Sequence, residues 1–179
     1  LLGGTDENWT YELIESNVKI IGYTGSEIDV NIPATITNKP VTYIGDQVFK
    51  SRRSLISITI PNSVTTIGNK VFEDCTSLTS ITIPNSVTHI GEYSFNYCSS
   101  LTSITIPHGV TTIGAGVFRD CTSLNNVVIP DSVTNIGFSG FRGCTSLSNI
   151  IIPDSVTEIL DSAFYGCTSL SSITIPDSL

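Results

Sequence analysis

Apolar and polar residues alternate in short stretches along this chain, and each stretch ends at a proline. Between residues 55 and 60, Ile58 and Ile60 would share one face of a strand, and Ser57 and Thr59 the other. Alternation with a period of two is typical of a strand that has one buried face and one wet face. The proline that follows lacks the amide hydrogen needed to continue a ladder, and the Asn-Ser pair after it favours a turn. The pattern therefore predicts a short strand followed by a corner.

A second extended segment and a closing turn complete the unit. Val64 and Ile67 are spaced to point toward the same interior, and Gly68 gives the backbone freedom to turn again. Phe72 and Cys75 then follow three residues apart, which places them on one side of a short helical turn. The unit predicts a coil with two extended sides and a helical third side.

This unit recurs every 23 residues as L-x-x-I-x-I-P-x-x-V-x-x-I-G-x-x-x-F-x-x-C-x-x. Five full copies begin at Leu55, Leu78, Leu101, Leu124 and Leu147, and a sixth opens at Leu170. The aromatic and thiol positions keep the same step: Phe72, Phe95, Phe118, Phe141, Phe164 and Cys75, Cys98, Cys121, Cys144, Cys167. One coil cannot bury its apolar side alone, whereas stacked coils pair their strands about 4.8 Å apart and share an interior. A period of roughly 20 to 29 residues with this leucine spacing is typical of leucine-rich repeats.

The predicted fold is therefore an α/β leucine-rich-repeat solenoid. A parallel β-sheet would form one face, and short extended segments and short helical turns the other. Residues 55–179 would form one continuous domain of five full repeats and the start of a sixth. The chain begins without methionine and stops within a repeat, so we expect it to be a piece of a longer protein.

Two segments precede the regular repeats. Residues 32–54 read as an atypical first repeat, because residues 37–41 lengthen it and Arg52 stands where later copies carry cysteine. Residues 1–31 show no copy of the repeat. Residues 11–23 alternate loosely around a turn, which predicts a β-hairpin that caps the open end of the array.

The repeats resemble those of BspA-like bacterial surface antigens, of the treponemal type. The likeness covers roughly residues 32–179 and is carried by the Ile-Pro pair, the Val-x-x-Ile-Gly segment and the Phe-x-x-Cys turn. It implies a secreted or cell-surface protein that adheres to host matrix proteins or other cells, and it implies no enzymatic activity. Leu160 in place of glycine and Arg52 in place of cysteine depart from the pattern and leave the local turn geometry open.

Composition narrows the range of partners. The formal charge of −8, from 16 acidic against 8 basic residues, would repel a phosphate backbone, so nucleic-acid binding is not expected. The basic cluster Lys50, Arg52 and Arg53 is typical of a solvated turn. No apolar stretch approaches the roughly 18 to 20 residues of a membrane helix, so this segment is not expected to insert into a membrane.

Neither the cysteines nor the histidines predict a site for catalysis, a cofactor or a metal. Zinc sites need closely spaced ligands such as C-x-x-C, and these cysteines are 23 residues apart. We expect buried free thiols, because parallel side chains in a column seldom reach disulfide geometry. His89 and His108 occupy different repeat positions, and no G-x-S-x-G motif accompanies them. No catalytic residue is therefore predicted.

One acidic column leaves two interpretations open. Asp131, Asp154 and Asp177 occupy the same turn position in successive repeats, so their carboxylates should stack. Calcium prefers oxygen ligands but takes six to eight of them, and each coil offers a single side chain here. Aspartate that bonds its own turn backbone is the favoured alternative.

The outward face of the predicted sheet is the candidate binding surface. Most of its positions carry small hydroxylated side chains, but two repeats replace them with apolar residues flanked by asparagine. The predicted protein-binding residues are Thr59, Thr82, Thr105, Asn126, Val128, Asn149, Ile151 and Thr174. An apolar spot within a polar rim is typical of a protein contact, although β-propensity alone also explains Val128 and Ile151.

Three functions remain as hypotheses. The first is adhesion, with the strand-bearing face bound to extracellular or host proteins. The second is a structural spacer or assembly element that holds another domain away from the cell. Carbohydrate binding is the third, and it lacks the exposed aromatic platform that sugars usually need.

Overall fold

The computed structural model describes residues 3–179, which wind into about seven stacked coils with a spacing of about 23 residues. Leu1 and Leu2 of the predicted cap lie outside the described residues. In chain order the strands are β1 (Gly3–Asp6), β2 (Trp9–Ile14), β3 (Asn17–Tyr23), β4 (Asp29–Asn31), β5 (Thr35–Ile36), β6 (Lys39–Ile44), β7 (Ser57–Thr59), β8 (Thr66–Ile67), β9 (Ser80–Thr82), β10 (His89–Ile90), β11 (Ser103–Thr105), β12 (Thr112–Ile113), β13 (Asn126–Val128), β14 (Asn135–Ile136), β15 (Asn149–Ile151), β16 (Glu158–Ile159) and β17 (Ser172–Thr174).

The front sheet is formed by the strand that precedes each Ile-Pro pair. Its members are β4, β7, β9, β11, β13, β15 and β17, and the pairs within it are parallel. The middle residue of each strand points inward, as at Ile58, Ile81 and Ile104, which are 5%, 8% and 3% exposed. The predicted one-sided alternation therefore places the core behind this sheet.

The side sheet follows each corner and carries the second extended segment. It contains β6, β8, β10, β12, β14 and β16, and parallel pairing joins β6 to β8 to β10 and β12 to β14 to β16. Its isoleucines, such as Ile67 and Ile136, are fully buried. This sheet supplies the second wall of the core.

At the N-terminal end, an antiparallel meander continues the side sheet. Strands β1, β2 and β3 pair antiparallel in order, and β3 pairs in parallel with β6. The insertion at residues 37–41 begins with a two-residue turn, in which Thr37 and Asn38 have φ values of 52° and 60°, between β5 and β6. Positive φ at both turn positions is typical of the tight turns that match strand twist.

The third side of each coil, here called the turn side, corrects the predicted fold class. We expected short helical turns and an α/β fold, but residues 3–179 contain no helix, so both were wrong and the fold is a β-solenoid. An α-helix needs each amide to bond the carbonyl four residues earlier in its own chain. Here the amides of Lys70, Phe72 and Asp74 bond carbonyls of the next coil at 2.8–2.9 Å.

Residues with positive φ allow this pattern on the turn side. Two positions per coil adopt the left-handed conformation, where an ordinary side chain is strained. They are Gln47, Lys70, Tyr93, Gly116, Ser139, Ser162 and Ser51, Asp74, Tyr97, Asp120, Gly143, Gly166. The chain thereby turns while alternate amides face the neighbouring coil.

Columns of identical side chains fill the interior. The Phe rings from Phe49 to Phe164 stack with centroids 5.3–5.6 Å apart. The five cysteines are free and buried. Each thiol donates a hydrogen bond of 3.1 Å to a phenylalanine carbonyl 26 residues earlier, as Cys98 does to Phe72. Stacked phenylalanine rings and cysteine hydrogen bonds thus hold each coil against the one before it.

Arg52 differs from the cysteine column for a reason visible at the cap. Its guanidinium donates to the backbone carbonyls of Gly25, at 2.7 Å, and of Tyr23. The same group lies 5.3 Å from the centre of the Tyr23 ring. Arginine therefore joins the N-terminal meander to the first coil, where a cysteine would be too short to reach.

Candidate protein-binding face

The outward side chains of the front sheet, here called the front face, form a flat array without side-chain cover. On each three-residue strand the first and third residues point away from the core. Residues Ser57 and Asp29 at one end are joined by a hydrogen bond of 2.6 Å, and Ser57 is half-buried. From β9 to β17 all the outward residues are exposed.

The register places the predicted binding residues in two straight columns. Thr59 lies beside Thr82, Thr105 beside Val128, and Ile151 beside Thr174. The first-position residues form a parallel column in which Ser103 lies beside Asn126 and Asn149 beside Ser172. All eight predicted residues therefore lie on the front face.

Two large apolar side chains are exposed on this face. Val128 is 49% exposed and Ile151 is 75% exposed. Their strands, β13 and β15, lie next to each other. Together with Asn126 and Asn149 they form what we call the apolar patch, which Thr105 borders on one side and Thr174 on the other.

The front face also includes residues that sequence reasoning assigned to the cap. Strand β4 pairs with β7 in the register of the repeats, so Asp29 lies beside Ser57 and Asn31 beside Thr59. The signal was present in the sequence, because Val30 and Ile32 alternate with polar residues just before a proline. The insertion at residues 37–41 lengthens the coil that follows, so the later motif positions no longer keep the 23-residue step from this strand. The strand was therefore not recognised as part of the repeats.

Two residues of the basic cluster, Lys50 and Arg53, lie on the turn side and are paired with acids. Lys50 contacts Glu73 at 2.9 Å, and Arg53 contacts Asp74 at 2.8 Å. The hydrogen bond from Arg53 lowers the pKa of Asp74. Burial acts to raise the pKa of Glu73, but hydrogen bonds from Lys50 and Asn96 outweigh it and lower that pKa. These cations are neutralised by their neighbours and add no positive charge to the front face.

The other residues considered for chemistry are dispersed. His89 lies on β10 of the side sheet and His108 in the exposed turn after a front strand. Asp131, Asp154 and Asp177 are exposed along that same line of turns. Within residues 3–179, no group of three or more His, Cys, Asp or Glu side chains is arranged to hold a metal ion.

Burial explains why the thiols are chemically inert in this arrangement. Removal from water raises the pKa of Cys75 to about 12 and raises the pKa of Cys98 and Cys121 well above the usual value. The thiolate is the reactive form of cysteine, and burial suppresses it. The cysteines therefore serve packing and hydrogen bonding.

Comparison with known families identifies the repeats. A family described as the BspA type leucine rich repeat region matches residues 26–145 and 111–179, with six copies. This chain belongs to the BspA-type leucine-rich-repeat family. The resemblance seen in the sequence is thereby confirmed. No curated protein matches the chain significantly.

Solved bacterial structures share both sequence and shape with this member of the family. A leucine-rich cell surface protein from Faecalibacterium prausnitzii is 37% identical with a TM-score of 0.78, over 97% of this chain and 54% of that one. The leucine-rich-repeat protein of T. pallidum is 33% identical with a TM-score of 0.92, over 97% and 83%. One from Bacteroides ovatus is 32% identical with a TM-score of 0.74, over 98% and 54%. The chain thus spans about half the length of two of these three relatives.

Membership in this family defines the general role of the surface. Leucine-rich repeats are protein-interaction modules, and their fold is a scaffold for contact rather than for catalysis. Within the described part of the chain, no helix is long and apolar enough to cross a membrane.

Proposed function

We propose that this BspA-type chain is a cell-surface or secreted module that binds extracellular or host proteins through its front face. The observation that carries the proposal is the apolar patch, where Val128 and Ile151 are exposed among small polar side chains. Exposed apolar area with a polar rim is typical of surfaces that bind other proteins. A likeness to a protein described as a cell surface protein supports the location.

The composition of the front face sets the strength of the contact. Full burial of a valine or isoleucine side chain is worth about 1.5–3 kcal/mol, so the apolar patch contributes useful but limited affinity. Aromatic and arginine anchors, which dominate tight interfaces, do not occur at the outward positions of the front strands β4, β7, β9, β11, β13, β15 and β17. A single contact should be weak, and several copies or additional repeats would strengthen attachment through avidity.

In this proposal the chain acts without catalysis, cofactor or metal. The backbone supplies a rigid sheet, and specificity comes from the shape and polarity of the face. The hydroxyl groups of Thr105 and Thr174 offer donors and acceptors beside the apolar patch. Those of Thr59 and Thr82 extend the polar surface along the same face.

Surface-binding measurements against immobilised fibronectin, laminin and collagen test this function. We expect the double variant Val128→Glu and Ile151→Glu to lose at least about tenfold in affinity, because two charges would have to be desolvated in the contact. The matched control is Leu160→Glu with Tyr165→Glu, which alters two exposed apolar residues away from the front sheet. That control should retain wild-type binding.

Other outcomes separate the alternative functions. Equal affinity of the wild type and the front-face variant would show that the apolar patch is not the contact. If the wild type binds none of the proteins, a spacer or assembly role is favoured. Binding confined to a glycan array would favour carbohydrate recognition instead.

A further inference from the structure

Neighbouring coils are joined at the side sheet by a set of five hydrogen bonds. Between the coils at residues 55–77 and 78–100, these bonds measure 2.6–3.5 Å. They run from the Thr88 amide and the Thr88 hydroxyl to the Thr65 carbonyl, from the Ser86 hydroxyl to the Val64 carbonyl, from the Gly91 amide to the Ile67 carbonyl, and from the Glu92 amide to the Asn69 side chain. The preceding boundary has an equivalent set of five, in which Ser63 bonds the Ala34 carbonyl.

One boundary lacks the whole set. Between residues 78–100 and 101–123, here called the seam, none of the five equivalent bonds forms in the described structure. Strands β10 and β12 are unpaired there, as are β9 and β11 of the front sheet. The boundary that follows has four of the five bonds, through Thr134, Ser132 and Gly137. Within residues 3–179, the seam is the one boundary between neighbouring repeats at which both sheets lack pairing.

The residues at the seam account for the loss. Gly109 occupies the position of Ser86 and Ser132, so it has no hydroxyl to donate to the Val87 carbonyl. Glu92 replaces the shorter Asn69 and Asp46, whose side-chain oxygens accept the amide of the next coil at 2.8–2.9 Å. Glu92 lies on one side of the seam, in residues 78–100, and Gly109 lies on the other, in residues 101–123.

Beside Gly114, the backbones of the two coils are also farther apart than at the preceding boundary. The place that a Cβ would take on Gly91 lies 2.4 Å from the Gly68 carbonyl carbon, which shows how closely two coils pack. At Gly114 the nearest atom to that place is Cγ of Glu92, at 3.6 Å. The Glu92 side chain thus lies where coils elsewhere make backbone contact.

Cavities mark the seam on both sheets. The one on the side sheet has a volume of about 480 Å³ and is lined by Thr88, Ile90, Glu92, Thr111 and Gly114, among others. The one on the front sheet has a volume of about 590 Å³ and lies between β9 and β11. The seam therefore loosens two of the three sides of the solenoid, and on the front side one hydrogen bond of 3.4 Å remains, from the Thr102 amide to the Thr79 carbonyl.

The third side is intact at the same level. The amides of Tyr93, Phe95 and Tyr97 bond the carbonyls of the next coil, each at 2.9 Å. The Phe95 and Phe118 rings also remain stacked across the seam, 5.6 Å apart. One closed side opposite two open ones is the geometry of a hinge.

We propose that the seam is a built-in hinge about which residues 3–100 and 101–179 bend, with the turn side as the axis. Opening and closing the seam changes the curvature of the front face between its hydroxylated part, at β7 and β9, and the part that carries the apolar patch. Rearrangement is confined to this level because the two boundaries before the seam and the two after it keep four or five of the side-sheet bonds. The hinge rests on bonding between coils and stands independently of the proposed function.

Paired spin labels test the motion directly. Residues 62, 108 and 154 share one exposed turn position, two coils apart in each case. Labels at Asn62→Cys and His108→Cys cross the seam, and labels at His108→Cys and Asp154→Cys do not. Both pairs should lie about 10 Å apart, within reach of dipolar broadening in continuous-wave spectra. We expect a distance distribution at least twice as broad for the pair that crosses the seam.

Restoring the bonds should close the hinge. The variant Gly109→Ser with Glu92→Asn returns the hydroxyl found at the other boundaries and the shorter acceptor found at the two preceding boundaries. It should narrow the distance distribution of the crossing pair to the width seen for the other pair. In the unlabelled wild type, the Thr111 and Gly114 amides should exchange at least 100-fold faster than those of Thr134 and Gly137. Equal widths for the two label pairs, or equal protection of these amides, would overturn the hinge. If the distance distribution of the crossing pair is broad and the double variant leaves its width unchanged, the assignment of the hinge to Gly109 and Glu92 would be overturned.

Discussion

At the scale of single residues, the cysteine column makes the protein sensitive to alkali. Each buried thiol stays protonated in the folded state, because burial raises its pKa, to about 12 for Cys75 against an ordinary value of 9.0. In the unfolded chain the same thiols ionise above pH 9. The folded state then binds more protons than the unfolded state, so the free energy of unfolding falls as the pH rises above about 9.

Urea unfolding between pH 8 and pH 10.5 measures this effect. Above about pH 9, where the unfolded thiol ionises and the folded one does not, each buried thiol should lower the free energy of unfolding by up to about 1.4 kcal/mol per pH unit. Cys98→Ser keeps a donor for the Phe72 carbonyl but does not titrate, so its stability should fall less steeply, by the share of one thiol. If the free energy of unfolding of the wild type and of this variant fell equally steeply with pH, the buried thiol would not be the cause of the alkaline loss of stability.

At the scale of elements, the turn side shows where sequence reasoning reached its limit. The spacing of Val71, Phe72 and Cys75 fits one side of a helical turn, and all three are buried. The same spacing also fits consecutive tight turns, and only the neighbouring coil decides between them by accepting the alternate amides. Because the accepting carbonyl lies 22 residues away, the local pattern alone could not distinguish the two.

Positive φ on the turn side predicts a stabilising substitution. Ser139 has φ of 56°, and its buried hydroxyl lacks a hydrogen-bond partner within the described part of the chain. Ser139→Gly removes both costs and should raise the free energy of unfolding by about 1–2 kcal/mol, as measured by thermal and urea unfolding. Ser162 occupies the same column but has an exposed side chain, so Ser162→Gly relieves backbone strain alone. It should raise the free energy of unfolding by less than Ser139→Gly does. A loss of stability in Ser139→Gly would contradict this account of the turn side.

At the scale of the whole molecule, the repeat period predicted the stacked coils and the face on which the candidate site lies. One 23-residue unit specifies both the inward residues, such as Ile58, and the outward ones, such as Thr59. The seam was beyond the reach of this reasoning, because Gly109 and Glu92 act together only once two coils are stacked. The role of Arg52 likewise depends on the meander that folds over it.

The claim that proteins bind at the front face is tested most directly by an amide-exchange footprint. The chain is compared alone and bound to whichever immobilised matrix protein it binds most tightly. We predict added protection in the segments that contain β13 and β15, and none in residues 138–143 of the turn side. Protection confined to the turn side or the side sheet, with β13 and β15 unchanged, would contradict the account.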